Sequence, residues 1–481
     1  MRQLVLTASI FVALGLGLMA QNRQSLSLEE AANLLLANNN TIKISQKAIE
    51  VAKAQKQQLD ATWYPFITAT GGYFHFSNDI SADANLGDLA QDALQNLQNA
   101  VPGLEQLLSQ LLPQLQQTIA SLGNSTLSVP LVNSNAATAD IVAIWPLITG
   151  GKRIYATRSG KEMVTGAQHL NALACNAQTA LMLNAYYTLK LGLSVEKMQQ
   201  ENLQYISRLL KNAQRLKDEG FLNKAEYLVV QVAKDEAVRE VETARHNVET
   251  ANRALDAILG VETDILPDAD YFTLDSIPGI NTLKEQILLN NPQLKLLHSQ
   301  REMAYNREKI AKSNYIPNIA LFARQNIYSS NIPKNLVPRT TVGAAMQWDI
   351  FDGMARESQI RKTRLEQQQL EYATDQAEKE LFTAAIALRS RMADASYSIK
   401  TLQSTRQLAL ELLREREKSF AEGLCTSADV IAARTSLTKA STALDLAHWQ
   451  YCTALANLLA LTSNTYKFIE LHNENRQQTA P

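Results

Sequence analysis

The sequence predicts a mainly α protein with a small β-barrel part and an internal two-fold repeat, and three observations lead there. First, only 12 of its 481 residues are proline and 18 are glycine, about half the usual share of each. No proline lies between Pro146 and Pro267, nor between Pro338 and Pro481. Proline breaks helix interiors, so these gaps permit very long helices. Second, the stretch from Trp145 to Arg153 is echoed by Trp348 to Arg356, 203 residues on, and the offset carries Glu219, Gly220, Phe221 and Leu222 onto Glu422, Gly423, Leu424 and Cys425. Upstream, Asn39 and Asn40 match Asn290 and Asn291, and Trp63 to Pro65 match Tyr315 to Pro317, at offsets of 251 and 252. Third, ahead of the second motif the chain alternates with period two, giving one face for lipid and one for water.

Composition removes several classes. With 46 basic and 47 acidic residues, a formal net charge of -1 and no block of like charge, the footprint of a nucleic-acid binder is missing. Cys175, Cys425 and Cys452 are an odd number without metal-type spacing, and the six histidines are scattered. Disulfides, structural zinc and other cofactors are not expected. There is no nucleophile elbow, phosphate loop or zincin motif, so the chain does not read as an enzyme. Met1 and Arg2, the apolar run from Leu4 to Met19 and Ala20 match a secretory signal over residues 1–20, an uncleaved anchor helix being the other reading. Beyond it no segment has 18 consecutive apolar residues, so any membrane crossing must use strands.

The elements then follow in order. Residues 21–62 hold the N-terminal helices of the first half, where Ser27 and Glu30 make a capping box for a helix to about Ala37. Residues 63–148 form a strand pair, with an insert at about 77–137. Thr149 stands where an N-cap is wanted, and a helical hairpin occupies 149–260, turning at Gly220. Along its first arm Leu170, Leu173, Ala177, Leu181, Tyr187, Leu191, Met198, Tyr205, Leu209 and Leu216 recur mostly every three, four or seven residues, as in coiled coils. A linker at 261–281 leads to the second half, whose helices at 282–315 include the N-cap and N1 pair Asn291 and Pro292. In the strand pair at 316–351, Ile319, Leu321 and Ala323 face away from Ala320, Phe322, Arg324 and Asn326. On the return, Val342, Ala344, Met346, Trp348 and Ile350 oppose Thr341, Gly343, Gln347 and Asp349. Asp352 opens the second hairpin, 352–463, and a tail closes the chain at 464–481.

Geometry sets the assembly. At 1.5 Å per residue each long arm spans roughly 100 Å, and the shorter helices of each half can stack end to end beside it. Four strands cannot close a membrane barrel, which needs at least about eight, and open edges are unsatisfied in lipid. Oligomerisation is required; three chains would supply a twelve-stranded barrel above an α-barrel tunnel of long antiparallel coiled-coil helices. The insert, with Leu86 to Leu122 rich in Leu and Gln and broken by Pro102 and Pro113, reads as short amphipathic helices outside the membrane, either a surface loop or a cap.

The repeat, the strand-to-helix motif and the glycine-centred turns together resemble the TolC-like outer-membrane efflux family over essentially the whole mature chain. The resemblance implies a homotrimer in the outer membrane of a Gram-negative bacterium, with a long periplasmic tunnel. It further implies an exit duct for tripartite efflux or type I secretion, fed through a periplasmic adaptor by an inner-membrane pump of resistance-nodulation-division or ABC type. Gly220, Phe221 and Leu222, with Gly423, Leu424 and Cys425, match the family's tips where adaptor hairpins dock. Glu226 and Asp429, six residues beyond each glycine, match carboxylates near its periplasmic constriction. Cys425 lies where such gates can carry a basic partner, and Ala432 offers no second acid, which weakens a charge latch.

Physical readings run beside these. Glycine permits a tight left-handed turn, and the apolar residues after it are exposed unless a partner covers them; helix capping with local packing gives the same pattern. A ring of three acids favours cations, while a solvated helix face is the plainer alternative. Trp63, Tyr64, Trp145, Tyr315 and Trp348 stand at strand-helix junctions, where aromatic residues anchor to outer-membrane lipid or pack a core. The sequence therefore favours a passive outer-membrane channel over a secreted or surface coiled-coil structural protein, for which the strand pairs are surplus.

Overall fold

The structure is a computed structural model that describes residues 24–77, 80–82, 129–132, 134–331 and 338–479. The expected signal segment and most of the 77–137 insert lie outside the described residues. Helices dominate. In chain order they are α1 (Leu28–Asn38), α2 (Asn40–Ala61), α3 (Lys152–Asp218), α4 (Lys224–Leu259), α5 (Ile280–Asn290), α6 (Pro292–Ser313), α7 (Ala355–Ala421), α8 (Ser427–Leu461) and α9 (Lys467–Thr479). α3 and α7 are each 67 residues long, consistent with the two proline-free spans. No described helix is long and apolar enough to cross a membrane.

The strands are β1 (Gln24–Leu26), β2 (Phe66–His75), β3 (Ile80–Ala82), β4 (Val129–Val132), β5 (Asn135–Thr149), β6 (Ile265–Pro267), β7 (Asn318–Ser330) and β8 (Thr340–Gln347). The principal sheet has the order β2-β5-β7-β8, antiparallel throughout, and β3 pairs separately with β4. Among the described residues β2 and β8 are its free edges. A buried ion pair braces its middle: Asp140 of β5 accepts from Arg324 Nε at 3.0 Å and Nη2 at 2.9 Å, and from Asn326 Nδ2 at 2.8 Å. It sits at a register shift after Ala139, where the bulge re-aims the strand.

The chain divides into two compact units, one of Met1–Ala52, Val164–Arg301 and Gln369–Pro481, the other of Lys53–Met163 and Glu302–Gln368. The sheet belongs to the second. The first unit is centred on a core that joins Leu35 and Ile42 to Met182, Leu183, Tyr186, Leu255, Ile287, Tyr451 and Phe468. Polar atoms inside it are used as ties. Tyr186 donates to the Leu26 carbonyl at 2.6 Å and accepts from the Ala269 amide at 3.0 Å, and Tyr451 accepts from Leu274 N–H at 3.0 Å. Asn39 caps the start of α2 and donates to Ile258 O at 2.9 Å; Asn291 likewise caps α6 and donates to Leu461 O at 2.9 Å.

Several expectations need correction. Thr149 is the last residue of β5, and α3 starts only after Gly150 and Gly151, both with positive φ. α7 likewise starts at Ala355, although Asp352 does accept from Arg356 N–H at 3.1 Å. The coiled-coil stripe is misplaced in its upper part: Leu170, Ala177 and Leu181 are exposed, while Met182, Leu183 and Tyr186 are fully buried. There α3 packs into the first unit's core instead of against a single partner helix, so its buried face is rotated. The linker contains β6, paired parallel to β1. The tail contains α9, with Phe468 and Ile469 buried. β8 stops at Gln347, leaving Trp348 and Ile350 exposed beyond it.

Candidate functional site

Two turns end the long helices, and both are built the same way. At the first, Gly220 has φ 82°, its N–H donates to Lys217 O at 3.1 Å, and Phe221 N–H donates to Leu216 O at 2.8 Å. At the second, Gly423 has φ 75°, its N–H donates to Phe420 O at 3.1 Å, and Leu424 N–H donates to Ser419 O at 2.8 Å. This paired closure is a Schellman motif, which needs a left-handed residue at its centre. A Cβ on either glycine would meet nothing within 4 Å, so backbone conformation alone demands glycine here.

The return helices are then capped from their own side chains. Asn223 accepts from Glu226 N–H at 2.8 Å, and its amide donates to Glu226 Oε1 at 3.3 Å. Thr426 and Asp429 form a full capping box: the Thr426 N–H and hydroxyl donate to Asp429 Oδ2 at 2.9 and 2.7 Å, and Asp429 N–H donates back at 3.3 Å. The Thr426 hydroxyl, then its backbone N–H, hold the Asp429 carboxyl below the ordinary aspartate value. Both acids therefore occupy the third helical position, where they also meet the positive end of the helix dipole.

The two turns meet over a small core of Ile206, Leu209, Ala213, Val230, Leu413, Val430 and Ala433. Ser427, fully buried, donates to Glu226 O at 3.4 Å and ties one return helix to the other. Arg434 stacks over the Tyr205 ring at 5.0 Å, and Lys217 over Tyr227 at 4.1 Å. Burial, then a hydrogen bond with Glu417, pushes the Tyr205 phenol above its ordinary value. An open cleft of about 1040 Å³ lies between the turns. Phe221, Leu222, Glu226, Gly423, Leu424 and Cys425 line it, whereas Gly220 and Asp429 do not. Phe221 and Leu424 are 79% and 75% exposed, two apolar side chains displayed at matched positions. Cys425 is half-buried, its thiol directed to Arg416 O at 3.4 Å.

The junction aromatics form a second pair of equivalent sites. Trp145 Nε1 donates to Trp63 O at 3.1 Å, and Trp348 Nε1 donates to Tyr315 O at 3.2 Å. Two arginines complete them, and neither was singled out from sequence. Arg153 stacks on Trp63 at 4.5 Å and donates to Leu147 O and Thr62 O; Arg356 stacks on Tyr315 at 4.7 Å and donates to Ile350 O and Asn314 O. Their recurrence 203 residues apart was the available signal. Tyr64 stands outside both clasps, 70% exposed.

Residues 283–464 match the family model described as outer membrane efflux protein. The alkaline protease secretion protein AprF of Pseudomonas aeruginosa is 22% identical over 228 residues, 46% of this chain and 47% of that protein, so the match spans about half the length of the curated relative. The fold is similar to the outer membrane protein VceC of Vibrio cholerae (TM-score 0.71, 14% identity, 91% of this chain and 96% of that one). It is equally similar to the Campylobacter jejuni CmeC outer membrane channel (TM-score 0.71, 13% identity, 94% and 88%). Match and fold together bear out the resemblance to TolC-like outer-membrane efflux proteins, and with it an outer-membrane location with a periplasmic extension.

Proposed function

We propose that this chain forms the exit duct of a tripartite efflux or type I secretion system, as a homotrimer. Each copy would contribute four strands to a twelve-stranded outer-membrane barrel and two hairpins to a periplasmic tunnel. An adaptor would dock at Gly220, Phe221, Leu222, Gly423, Leu424 and Cys425, and an inner-membrane pump would supply the energy. The observation that carries this reading is the sheet itself. Among the described residues its edges β2 and β8 are unpaired, and its outer face exposes Ile67, Tyr73, Val342 and Met346, which lipid and further copies can satisfy together. β2 and β8 run antiparallel through the sheet order, so head-to-tail copies can close an antiparallel barrel.

Exposed apolar residues on α7, among them Leu365, Tyr372, Tyr397 and Leu408, support burial against neighbouring copies in the tunnel. AprF is named for alkaline protease secretion, which supports including polypeptides with small molecules as cargo. Glu226 and Asp429 would ring the periplasmic aperture, and the junction aromatics would sit at the membrane interface. In an outer-membrane fraction the chain should run as a heat-modifiable trimer; a soluble dimer would sink the proposal. Leu424→Asp, and equally Phe221→Asp, should abolish export with trimers intact. Unchanged export would remove the docking role.

A further inference from the structure

The two strand-to-helix junctions repeat more than their motif. Thr62, Trp63, Trp145, Leu147 and Arg153 of the first correspond to Asn314, Tyr315, Trp348, Ile350 and Arg356 of the second, at an offset of 252 for the first two and 203 for the rest. In each junction one guanidinium joins three pieces of chain. Arg153 Nη1 donates to Thr62 O at 3.4 Å and Nη2 to Leu147 O at 2.7 Å; Arg356 Nη1 donates to Asn314 O and Nη2 to Ile350 O, both at 3.1 Å. One carbonyl lies just past the helix that precedes the strands and the other near the end of the returning strand, while the arginine is itself the second residue of α3 or α7. The ring beneath, Trp63 or Tyr315, leaves the guanidinium its in-plane donors and holds that plane.

Between strand and helix the chain turns through left-handed backbone. Gly150 and Gly151 have φ of 59° and 85°, and Gly353 and Met354 have φ of 68° and 67°. Each turn has one further support, and the two supports differ. At the first, Gly150 is pressed against the end of α6, where a Cβ would collide with Ser313 O. At the second, a Cβ on Gly353 would meet nothing within 4 Å. Asp352 braces that turn instead, accepting from Arg356 N–H at 3.1 Å and standing 3.2 Å from Arg356 Nε. What both junctions share is the arginine. Its leverage is large, because α3 and α7 are each 67 residues long, and at 1.5 Å per residue one degree of tilt at the start moves the far end by about 1.7 Å.

We propose that Arg153 and Arg356 are positioning residues: each brackets a turn and so fixes the direction in which a long helix leaves the sheet, and with it the resting state of the duct. A planar fork reaches two carbonyls on separate segments at once, which a lysine ammonium on a flexible stem does not. Arg356 is 8% exposed, so its two carbonyl partners have little water to replace it. The inference rests on the exit-duct reading above and adds these two residues to it.

The test is Arg153→Lys and Arg356→Lys in the full chain, read in two ways. In planar bilayers each variant should spend about tenfold more time than the parent at conductances above the resting level, as expected for one lost charged hydrogen bond. The yield of heat-modifiable trimers should match the parent's. In the purified chain, amide exchange over 355–360 should quicken about tenfold in Arg356→Lys and keep the parent rate over 427–433. Trp63→Leu removes only the ring under Arg153 and should raise the same opening roughly threefold, which keeps the test decisive if a lysine variant does not assemble. Fewer trimers with parent-like conductance in each would leave the arginines a structural part alone and overturn the proposal. Parent-like opening in all three variants, or unchanged exchange over 355–360, overturns it too, while the exit-duct reading stands. A parent chain that forms no channels overturns both.

Discussion

Asp429 and Glu226 already have local work to do before any pore is considered. Each closes a helix start, and that is reason enough for an acid six residues after each tip glycine. The two roles separate by substitution. Asn223→Ala should cost about 1 kcal/mol at the start of α4, seen as faster amide exchange over 224–230 with trimers unchanged. The pH dependence of the Asp429 cap has one sign. Its folded pKa is lowered, so its contribution is present above the ordinary aspartate value of about 3.9 and is lost as pH falls through the folded value. Between pH 6 and 8 this cap should not titrate.

At the scale of elements, the hairpins were legible because glycine, capping residue and proline-free span all agree in each half. β1, β6 and α9 were not. Three-residue strands carry no period, and Gln24 finds Ile265 only across the whole first half. The heptad reading of α3 failed for a related reason: it assumes one partner, while Met182 and Tyr186 face a mixed core. Nor did alternation reveal Arg153 and Arg356, whose partners are backbone carbonyls without sequence identity. The linker and α9 also yield a prediction. Tyr271 stacks on His448 at 5.5 Å, and Phe272 meets His472 edge-on at 5.6 Å. Around them stand Asp445, Lys190, Asp270 and Arg476, and His448 Nδ1 has no hydrogen-bond partner among the described residues. Burial lowers the pKa of both histidines. The neutral forms are thus favoured by folding, and stability is full above the ordinary value of about 6.5 and declines as pH falls below it. The melting temperature should drop between pH 7.5 and 5.5, and His448→Phe with His472→Phe should flatten that slope. An unchanged slope would remove the histidines from the account.

For the whole molecule, the deciding measurement is conduction. Asp429→Ala should change single-channel conductance or cation block in planar bilayers if three copies ring the aperture; equal values in variant and parent would leave the acid its capping role alone. The alternating order of the sheet carries a genetic consequence. If copies join as proposed, each offers two different edges, β2 to one neighbour and β8 to the other, so damage to one edge would leave the other adhesive. A copy spoiled at β8 would still recruit a healthy neighbour through β2 and hold it in a ring that cannot close. Alleles of that kind would be dominant over the parent, whereas alleles that prevent folding would be recessive.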